Sequence, residues 1–253
     1  MSLNVSLIPI LTDNYVFIIE SANQIAIIDP GDFESVDSYL VNKNWFPDYI
    51  FNTHHHWDHV DGNLQLQSKY NLKIYCSKYD KNRIPGANSF LTEGDQIQFG
   101  NTFCEIINLP GHTLGHIAYY FKKENILFVG DTLFSMGCGR LFEGSHEQLF
   151  DSLKKISSLP DETKIYCTHE YTQKNTEFAL KFDPDNEELK SFYQDVLKKR
   201  KLNLPTIPTL LGREKQLNPF LRGRSIAIQK SLHLTNSGEF AVFKQLRDLR
   251  NDY

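Results

Sequence analysis

The segment Asn52-Thr53-His54-His55-His56-Trp57-Asp58-His59 constrains this chain more than any other stretch. It follows directly on the apolar run Tyr49-Ile50-Phe51 and crowds imidazoles and a carboxylate into consecutive positions. Desolvating so many ionisable groups is expensive unless they share a cation. Extended backbone sends residues i and i+2 to one side, so His54 and His56 can grip one metal from a strand end while His55 faces away. Asp58 and His59 follow where a helix could begin, and they aim at a neighbouring position. Imidazole with carboxylate suits zinc, and also iron or manganese. A fold that carries this segment must bring further ligands to the end of the same strand.

Three candidates recur at strand ends. His112 follows the strand-like run Phe103–Asn108, Asp131 follows Ile126–Val129 beside Gly130, and His169 follows Lys164–Cys167. Side chains at the carboxyl ends of separate strands converge on one edge of a sheet, where sites are commonly built. A lone histidine after a strand is more often a hydrogen-bonded loop residue, and His146 and His233 are read that way. His55 and His116 are read as structural or supporting.

Strand and loop alternate over the first two-thirds. Val5–Ile10, Tyr15–Ile19 and Ile25–Ile28 are β-branched runs broken by Asp13-Asn14 and Ser21–Asn23, as in consecutive hairpins. Tyr49–Asn52, Leu72–Cys76, Gln96–Phe99, Phe103–Asn108, Ile117–Phe121, Ile126–Val129 and Lys164–Cys167 continue the pattern. Helical spacing predicts helices over Asn63–Tyr70 and, after the cap candidate Ser145, over Gln148–Ile156. Such short, mixed pieces fit stacked sheets covered by helices, an α/β (α+β) architecture. Beyond Glu170 the texture changes. Thr172–Lys201 has helical spacing broken at Asp183-Pro184, a proline-bearing linker spans Leu204–Thr209, and another helix is expected from Gly238 onward. The division is therefore a sheet-rich domain over residues 1–172 and a helical one over 173–253. The echo Lys-Ile-Tyr-Cys at 73–76 and 164–167 is too short to count as a repeat.

With 253 residues, 40% hydrophobic and 23% charged, the chain belongs with ordinary globular proteins. A formal charge of -4 argues against broad capture of nucleic acid, though not against a local basic pocket. The N-terminal stretch lacks a basic flank and reads as strand, and no apolar run approaches the roughly 20 residues of a membrane span. A cytoplasmic monomer is expected. Cys76, Cys104, Cys138 and Cys167 form no C-x-x-C pair and read as buried thiols.

His54-x-His56-x-Asp58-His59, followed in order by His112, Asp131 and His169, resembles the metal-binding signature of the metallo-β-lactamase superfamily over about residues 1–172. The resemblance implies an αββα sandwich and two divalent metal ions, zinc foremost. It implies His54, His56 and His112 on the first ion, Asp58, His59 and His169 on the second, and Asp131 bridging. Asp29 is similar to the superfamily's supporting carboxylate, although Asp29-Pro30-Gly31 equally makes an ordinary turn.

Three further stretches resemble the glyoxalase II branch: Gly130–Phe134 running into the loop Gly137–Gly144, Thr168–Thr172, and a tail carrying Asn218–Arg222 and Leu246–Arg250. That branch implies a helical glutathione-binding domain, with Arg140, Phe142, Tyr171, Arg247 and Arg250 as substrate-binding candidates. Guanidinium groups bind carboxylates bidentately, and glutathione carries two. Arg247 and Arg250 also make sense as a solvated helix face near a C-terminus. Where the eukaryotic pattern has lysine, tyrosine and lysine, this chain has Arg140, Phe142 and Arg250, which keeps charge and removes a hydroxyl.

The implied reaction is hydrolysis of S-D-lactoylglutathione to glutathione and D-lactate, completing methylglyoxal detoxification. Two ions sharing a carboxylate hold a hydroxide between them, because coordination lowers the water pKa from about 15.7 to about 7. Asp58 can orient this nucleophile and accept its proton, or serve purely as a ligand. A thiol of pKa about 8.5 leaves without a dedicated acid, whereas an amide nitrogen does not. No G-x-S-x-G elbow competes. A mononuclear iron persulfide dioxygenase and a β-lactam or lactone hydrolase are the alternatives on this scaffold.

Overall fold

The computed structural model describes residues 3–253. Met1 and Ser2, which begin the expected first domain, lie outside the described residues. Six strands form the first sheet in sequence order: β1 (Asn4–Ile10), β2 (Asn14–Ser21), β3 (Gln24–Ile28), β4 (Tyr49–Phe51), β5 (Lys73–Ser77) and β6 (Ser89–Leu91). The first three pair antiparallel and the rest run parallel. The second sheet is built from β7 (Gln96–Phe99), β8 (Thr102–Asn108), β9 (Ile117–Phe121), β10 (Ile126–Gly130), β13 (Lys164–Cys167) and β14 (Thr209–Leu210). A separate ribbon, β11 (Leu133–Phe134) and β12 (Gly137–Cys138), projects from the end of β10.

Alternation along the strands decides what each face meets. Val16, Ile18, Ile27 and Ile50 point outward, under α1 (Phe33–Lys43) and α3 (Asn63–Tyr70), and pack with Val36, Leu40 and Leu66. Their neighbours Phe17, Ile19, Ile28 and Phe51 point inward against Phe99, Tyr119, Phe121 and Phe128 of the second sheet. Each such ring, fully buried, contributes about 1.5–3 kcal/mol. The second sheet is covered by α4 (His146–Ser157) through Leu149, Leu153 and Ile156. Ser145 and Gln148 form a reciprocal cap at its start, as the cap candidate predicts. The result is the expected αββα sandwich.

The remaining helices are α2 (Trp57–Val60), α5 (Thr172–Phe182), α6 (Glu187–Lys201), α7 (Leu211–Leu217), α8 (Ile226–Ser231) and α9 (Glu239–Asn251). Phe178 of α5, Phe220 of the turn before α8, and Phe243 of α9 extend the same continuous buried cluster. Phe150 of α4 meets Phe243 at 5.3 Å. The linker expected at Leu204–Thr209 is not purely a linker: Thr209 and Leu210 pair with Ile165 and Lys164 and extend the second sheet. Two residues are too short a run to show strand periodicity. Glu214, fully buried, fastens α7 to the ribbon by accepting from the Met136 amide at 2.9 Å and the Thr209 hydroxyl at 2.7 Å.

Strand polarity places the site. β3, β4 and β5 end at one edge because they are parallel. β8 and β10 end together because each is antiparallel to β9, and β13 joins them by pairing parallel with β10. At this edge the sheets are stitched together: the Tyr15 amide donates to the Thr168 carbonyl at 2.7 Å, and the Ile117 amide to the Thr53 carbonyl at 2.9 Å. No helix among the described residues is long and apolar enough to cross a membrane.

Candidate metal centre and substrate cleft

The histidine segment turns away from β4 at Asn52. This side chain donates to the His59 carbonyl at 3.0 Å and accepts from Asn63 Nδ2 at 2.8 Å, pinning the loop to α3. Asp29 leaves β3 in the left-handed region, at φ 52°. Its Oδ1 accepts from the Thr53 amide at 2.7 Å, while Oδ2 accepts from the Thr53 hydroxyl at 2.6 Å. Asp29 makes the turn with Gly31, whose amide donates to its carbonyl at 2.9 Å, and its carboxylate also braces the histidine loop through Thr53. Gly31 is required by close approach, since a Cβ there would lie 1.8 Å from the Asp58 carbonyl oxygen.

Hydrogen bonds behind the rings decide where the lone pairs point. The single proton of the Thr53 hydroxyl goes to Asp29, so its contact with His54 Nδ1 at 3.1 Å has the imidazole as donor. His54 Nε2 is then a bare acceptor. His112 Nδ1 donates to the Arg140 carbonyl at 2.7 Å, which leaves its Nε2 bare too. Both face His56 Nδ1, at 3.1 and 3.0 Å. That atom can donate to only one of them, so at least one pair of lone pairs collides unless a cation sits among the three rings. Burial, then the His59 and His116 charges, holds His54 well below the usual histidine range. Burial and then His112 push His56 down to about 4. Burial likewise lowers His112. These rings are neutral at pH 7, the form in which imidazole coordinates.

The second group has the opposite electrostatics. His59 Nδ1 donates to Asp29 Oδ2 at 3.1 Å, and His169 Nδ1 to Asp13 Oδ1 at 2.9 Å. His59 Nε2 thus faces Asp58 Oδ2 at 3.5 Å and Asp131 Oδ1 at 3.6 Å, buried and without a hydrogen-bond partner among the described residues. His169 Nε2 faces Asp131 Oδ2 at 3.3 Å and Asp58 Oδ2 at 3.5 Å. Burial works against protonation of both rings, but Asp131 foremost outweighs it, raising His59 and bringing His169 to about 10. Burial would raise the Asp131 carboxyl, yet His169 and His59 hold it well below the carboxylate range. Lone pairs aimed at carboxylates in a buried space leave a demand for positive charge. A divalent ion meets it while leaving the imidazoles neutral.

His54, His56 and His112 thus form one cluster of mutually close donor atoms, and Asp58, His59 and His169 another. Asp131 lies between them, with Oδ2 also 3.4 Å from His112 Nε2. A third grouping, Asp29 with His54 and His59, is geometrically compact. Its carboxylate already accepts from three protein donors, which makes it a support for the rings and not a ligand. The seven residues singled out in the sequence come together on one edge, as do their supports. His116 accepts from the Asp131 amide at 3.1 Å and stacks on His54 at 4.8 Å. His55 turns away toward Asp80 and Glu143.

Beside the centre opens a cavity of about 350 Å³. Arg140, Phe142, Tyr171, Arg247 and Arg250 all line it, together with His112 and Asp131. Tyr171 stacks on His169 with centroids 4.7 Å apart, and Phe142 meets His56 and His112 edge-on at 5.3 and 5.2 Å. Arg250 is partly engaged, donating to Asn175 Oδ1 at 3.1 Å. Arg247 is buried: its Nη1 donates to the Cys138 carbonyl at 2.8 Å and the Gly139 carbonyl at 3.1 Å, its Nη2 donates to Asn251 Oδ1 at 3.1 Å, and its Nε has no hydrogen-bond partner among the described residues. The alternative reading of Arg247 as part of a solvated helix face does not hold, because the side chain is buried against the loop carbonyls.

Residues 11–169 match the metallo-beta-lactamase superfamily, and residues 170–253 match the hydroxyacylglutathione hydrolase C-terminus. A relative from Rippkaea orientalis named hydroxyacylglutathione hydrolase is 45% identical, with 97% of this chain and 98% of the relative covered. The chain belongs to the hydroxyacylglutathione hydrolase family of the metallo-β-lactamase superfamily. Among solved structures, ETHE1 from Myxococcus xanthus shares the fold at 24% identity and TM-score 0.67, covering 99% of this chain and 98% of that one. TTHA1623, solved in a di-iron-bound form, is 26% identical at TM-score 0.64, covering 85% and 98%. Like its family, the chain is a metal-dependent hydrolase whose histidine and aspartate clusters serve divalent ions.

Sequence reasoning missed four participants: Asp13, Asn14, Thr53 and the buried Asp80. Asp13-Asn14 reads as a turn; Asp13 closes the turn over residues 11–13, and Asn14 already opens β2. The same residues place a carboxylate on His169 and an amide on Asp58, the latter at 2.9 Å. Only the pairing of β2 against the β13 end brings them there, and no local signal encodes it.

Proposed function

We propose that the protein hydrolyses S-D-lactoylglutathione to glutathione and D-lactate with two divalent ions, zinc foremost, and that residues 173–253 with the Gly137–Gly144 loop form the glutathione-binding part. The observation that carries this reading is the adjacency of two convergent donor clusters to a cleft whose far wall is supplied by Arg250 and its neighbours from α9. His54, His56 and His112 would hold one ion, Asp58, His59 and His169 the other, with Asp131 shared. Bound there, the ions supply a water acidified to near neutral pH and a charge against the developing oxyanion.

The chain's own groups do the rest. Asp58 Oδ2 is held by Asn14 and oriented toward His59 and His169, a position suited to accept the proton of the attacking water. Arg140 and Arg250 offer guanidinium groups to the glutathione carboxylates. Phe142 and Tyr171, packed on His56, His112 and His169, would flank a thioester bound beside those rings. Arg247 contributes by fixing the backbone of the loop.

Four buried, unpaired thiols fit a reducing compartment, which supports a cytoplasmic location. We read the working unit as a monomer. The test is thiol release from S-lactoylglutathione by the metal-replete protein, lost on chelation and regained with zinc. Turnover of a β-lactam or a persulfide without thiol release from the thioester would overturn the assignment.

A further inference from the structure

Outside the metal clusters, one charged group stands unexplained. Asp80 is fully buried, follows β5, and has no part in either donor set. Its Oδ1 accepts from Arg83 Nε at 2.9 Å and again from Arg83 Nη2. Arg83 then reaches across to Glu143, with Nη1 to Oε1 at 2.5 Å. Glu143 belongs to the loop that carries Arg140 and Phe142, and its Oε2 accepts from the Leu114 amide at 2.8 Å. Its own amide and that of Phe142 donate to the His112 carbonyl, at 3.4 and 3.2 Å.

The position is tight. A Cβ on Gly115 would fall 2.3 Å from Asp80 Oδ1, so the carboxylate occupies space that only glycine leaves open. His55, between two of the metal-facing histidines, closes the group: Nδ1 lies 3.6 Å from Asp80 Oδ2 and Nε2 3.6 Å from Glu143 Oε1. Both His55 Nδ1 and Asp80 Oδ2 are buried without a hydrogen-bond partner among the described residues. A buried carboxylate is retained only where a partner offsets its desolvation, and here that partner also grips a third segment.

We infer that Asp80, Arg83 and Glu143 form a latch that positions the substrate loop against the His112 loop, and that Arg83 and Glu143 are positioning residues for thioester binding. The reasoning rests on the proposed glutathione thioester activity. With the latch closed, Phe142 is held against His56 and His112, and Arg140 is presented at the cleft mouth. Without Arg83, Glu143 loses its bridge to Asp80 and is left with the Leu114 amide, the neighbouring His55 and its own backbone bond to His112, so the loop samples positions that do not bind substrate more often. Binding affinity falls by the fraction of time the competent loop is lost.

The test compares Arg83→Ala, Arg83→Lys, Glu143→Gln and the double variant R83A/E143Q with the unaltered holoenzyme. Metal content per chain and steady-state thiol release are measured for each. Arg83→Ala should raise KM about tenfold, lower kcat less than twofold and leave metal content unchanged, the pattern of lost uniform binding. Arg83→Lys should recover part of the KM. The double variant should be no worse than the poorer single, since both break one link. Glu143→Gln is nearly isosteric and keeps an acceptor for Leu114, so it reports on the latch even if Arg83→Ala fails to fold. An unchanged KM in Glu143→Gln, additive effects in the double variant, or loss of bound metal in step with activity would each overturn the latch. Failure of the unaltered protein to release thiol would instead sink the activity on which it rests.

Discussion

Asp29 braces one imidazole in each of the two donor clusters, which makes its removal the most informative perturbation. Its carboxylate sets the His59 tautomer directly and the His54 tautomer through the Thr53 hydroxyl. Asp29→Ala therefore removes an orienting partner from one imidazole in each cluster. Loss of such a partner lowers metal affinity by about 10- to 100-fold, so each site should weaken by about 1.4–2.7 kcal/mol. The stranded Thr53 amide adds about 1–3 kcal/mol of destabilisation in the metal-free protein. Thr53→Val is the matched contrast. It cuts the relay to His54 while Asp29 keeps His59, so the first site should weaken and the second should not. Zinc competition against a chromogenic chelator resolves the two dissociation constants, and urea unfolding in chelator gives the metal-free stability. The reasoning fails if Asp29→Ala weakens one site alone, or if Thr53→Val weakens both equally.

Two further outcomes follow from the cleft and the buried acid behind it. Arg250→Ala should raise KM with kcat kept, whereas Arg247→Ala should also lower stability by about 2–4 kcal/mol, because the Cys138 and Gly139 carbonyls lose a charged donor; equal unfolding midpoints for the two variants would contradict this. Burial pushes Glu214 above the ordinary 4.5 of a glutamate, against the pull of Thr209, Met136 and Asn218. The folded state thus holds this proton more tightly than the unfolded chain. Its contribution is present below about pH 4.5 and is lost as pH rises toward the folded value. Relative to the unaltered protein, Glu214→Gln should gain stability as pH rises above 4.5, read from urea midpoints across that range; a falling difference would contradict the sign.

Much of the centre was legible before the fold was known. Strand endings read at Asn52, Asn108 and Val129 from apolar runs closed by glycine, proline or histidine fall within one residue of the observed ends at Phe51, Asn108 and Gly130. The i, i+2 geometry then made His54 and His56 partners. Residues whose role depends on how the two sheets meet were not legible. Asp13 serves His169, and Asp80 serves Glu143, each across long stretches of chain. Helix α1 escaped assignment although Asp32 caps it by accepting from the Ser35 amide at 2.8 Å, a local signal that was present. Strands β6 and β14 are only three and two residues long, too brief for periodicity to register. Arg247 shows a different limit: its spacing fits a solvated helix face, and only the carbonyls of a distant loop reveal that it is buried.

The most direct test of the account is anomalous diffraction from zinc-loaded crystals, which locates each ion independently of any assumed chemistry. Two peaks per chain are predicted, one among His54, His56 and His112 and one among Asp58, His59 and His169, with Asp131 between them. A single peak at full loading, or a second peak away from Asp58 and His169, would contradict the paired centre.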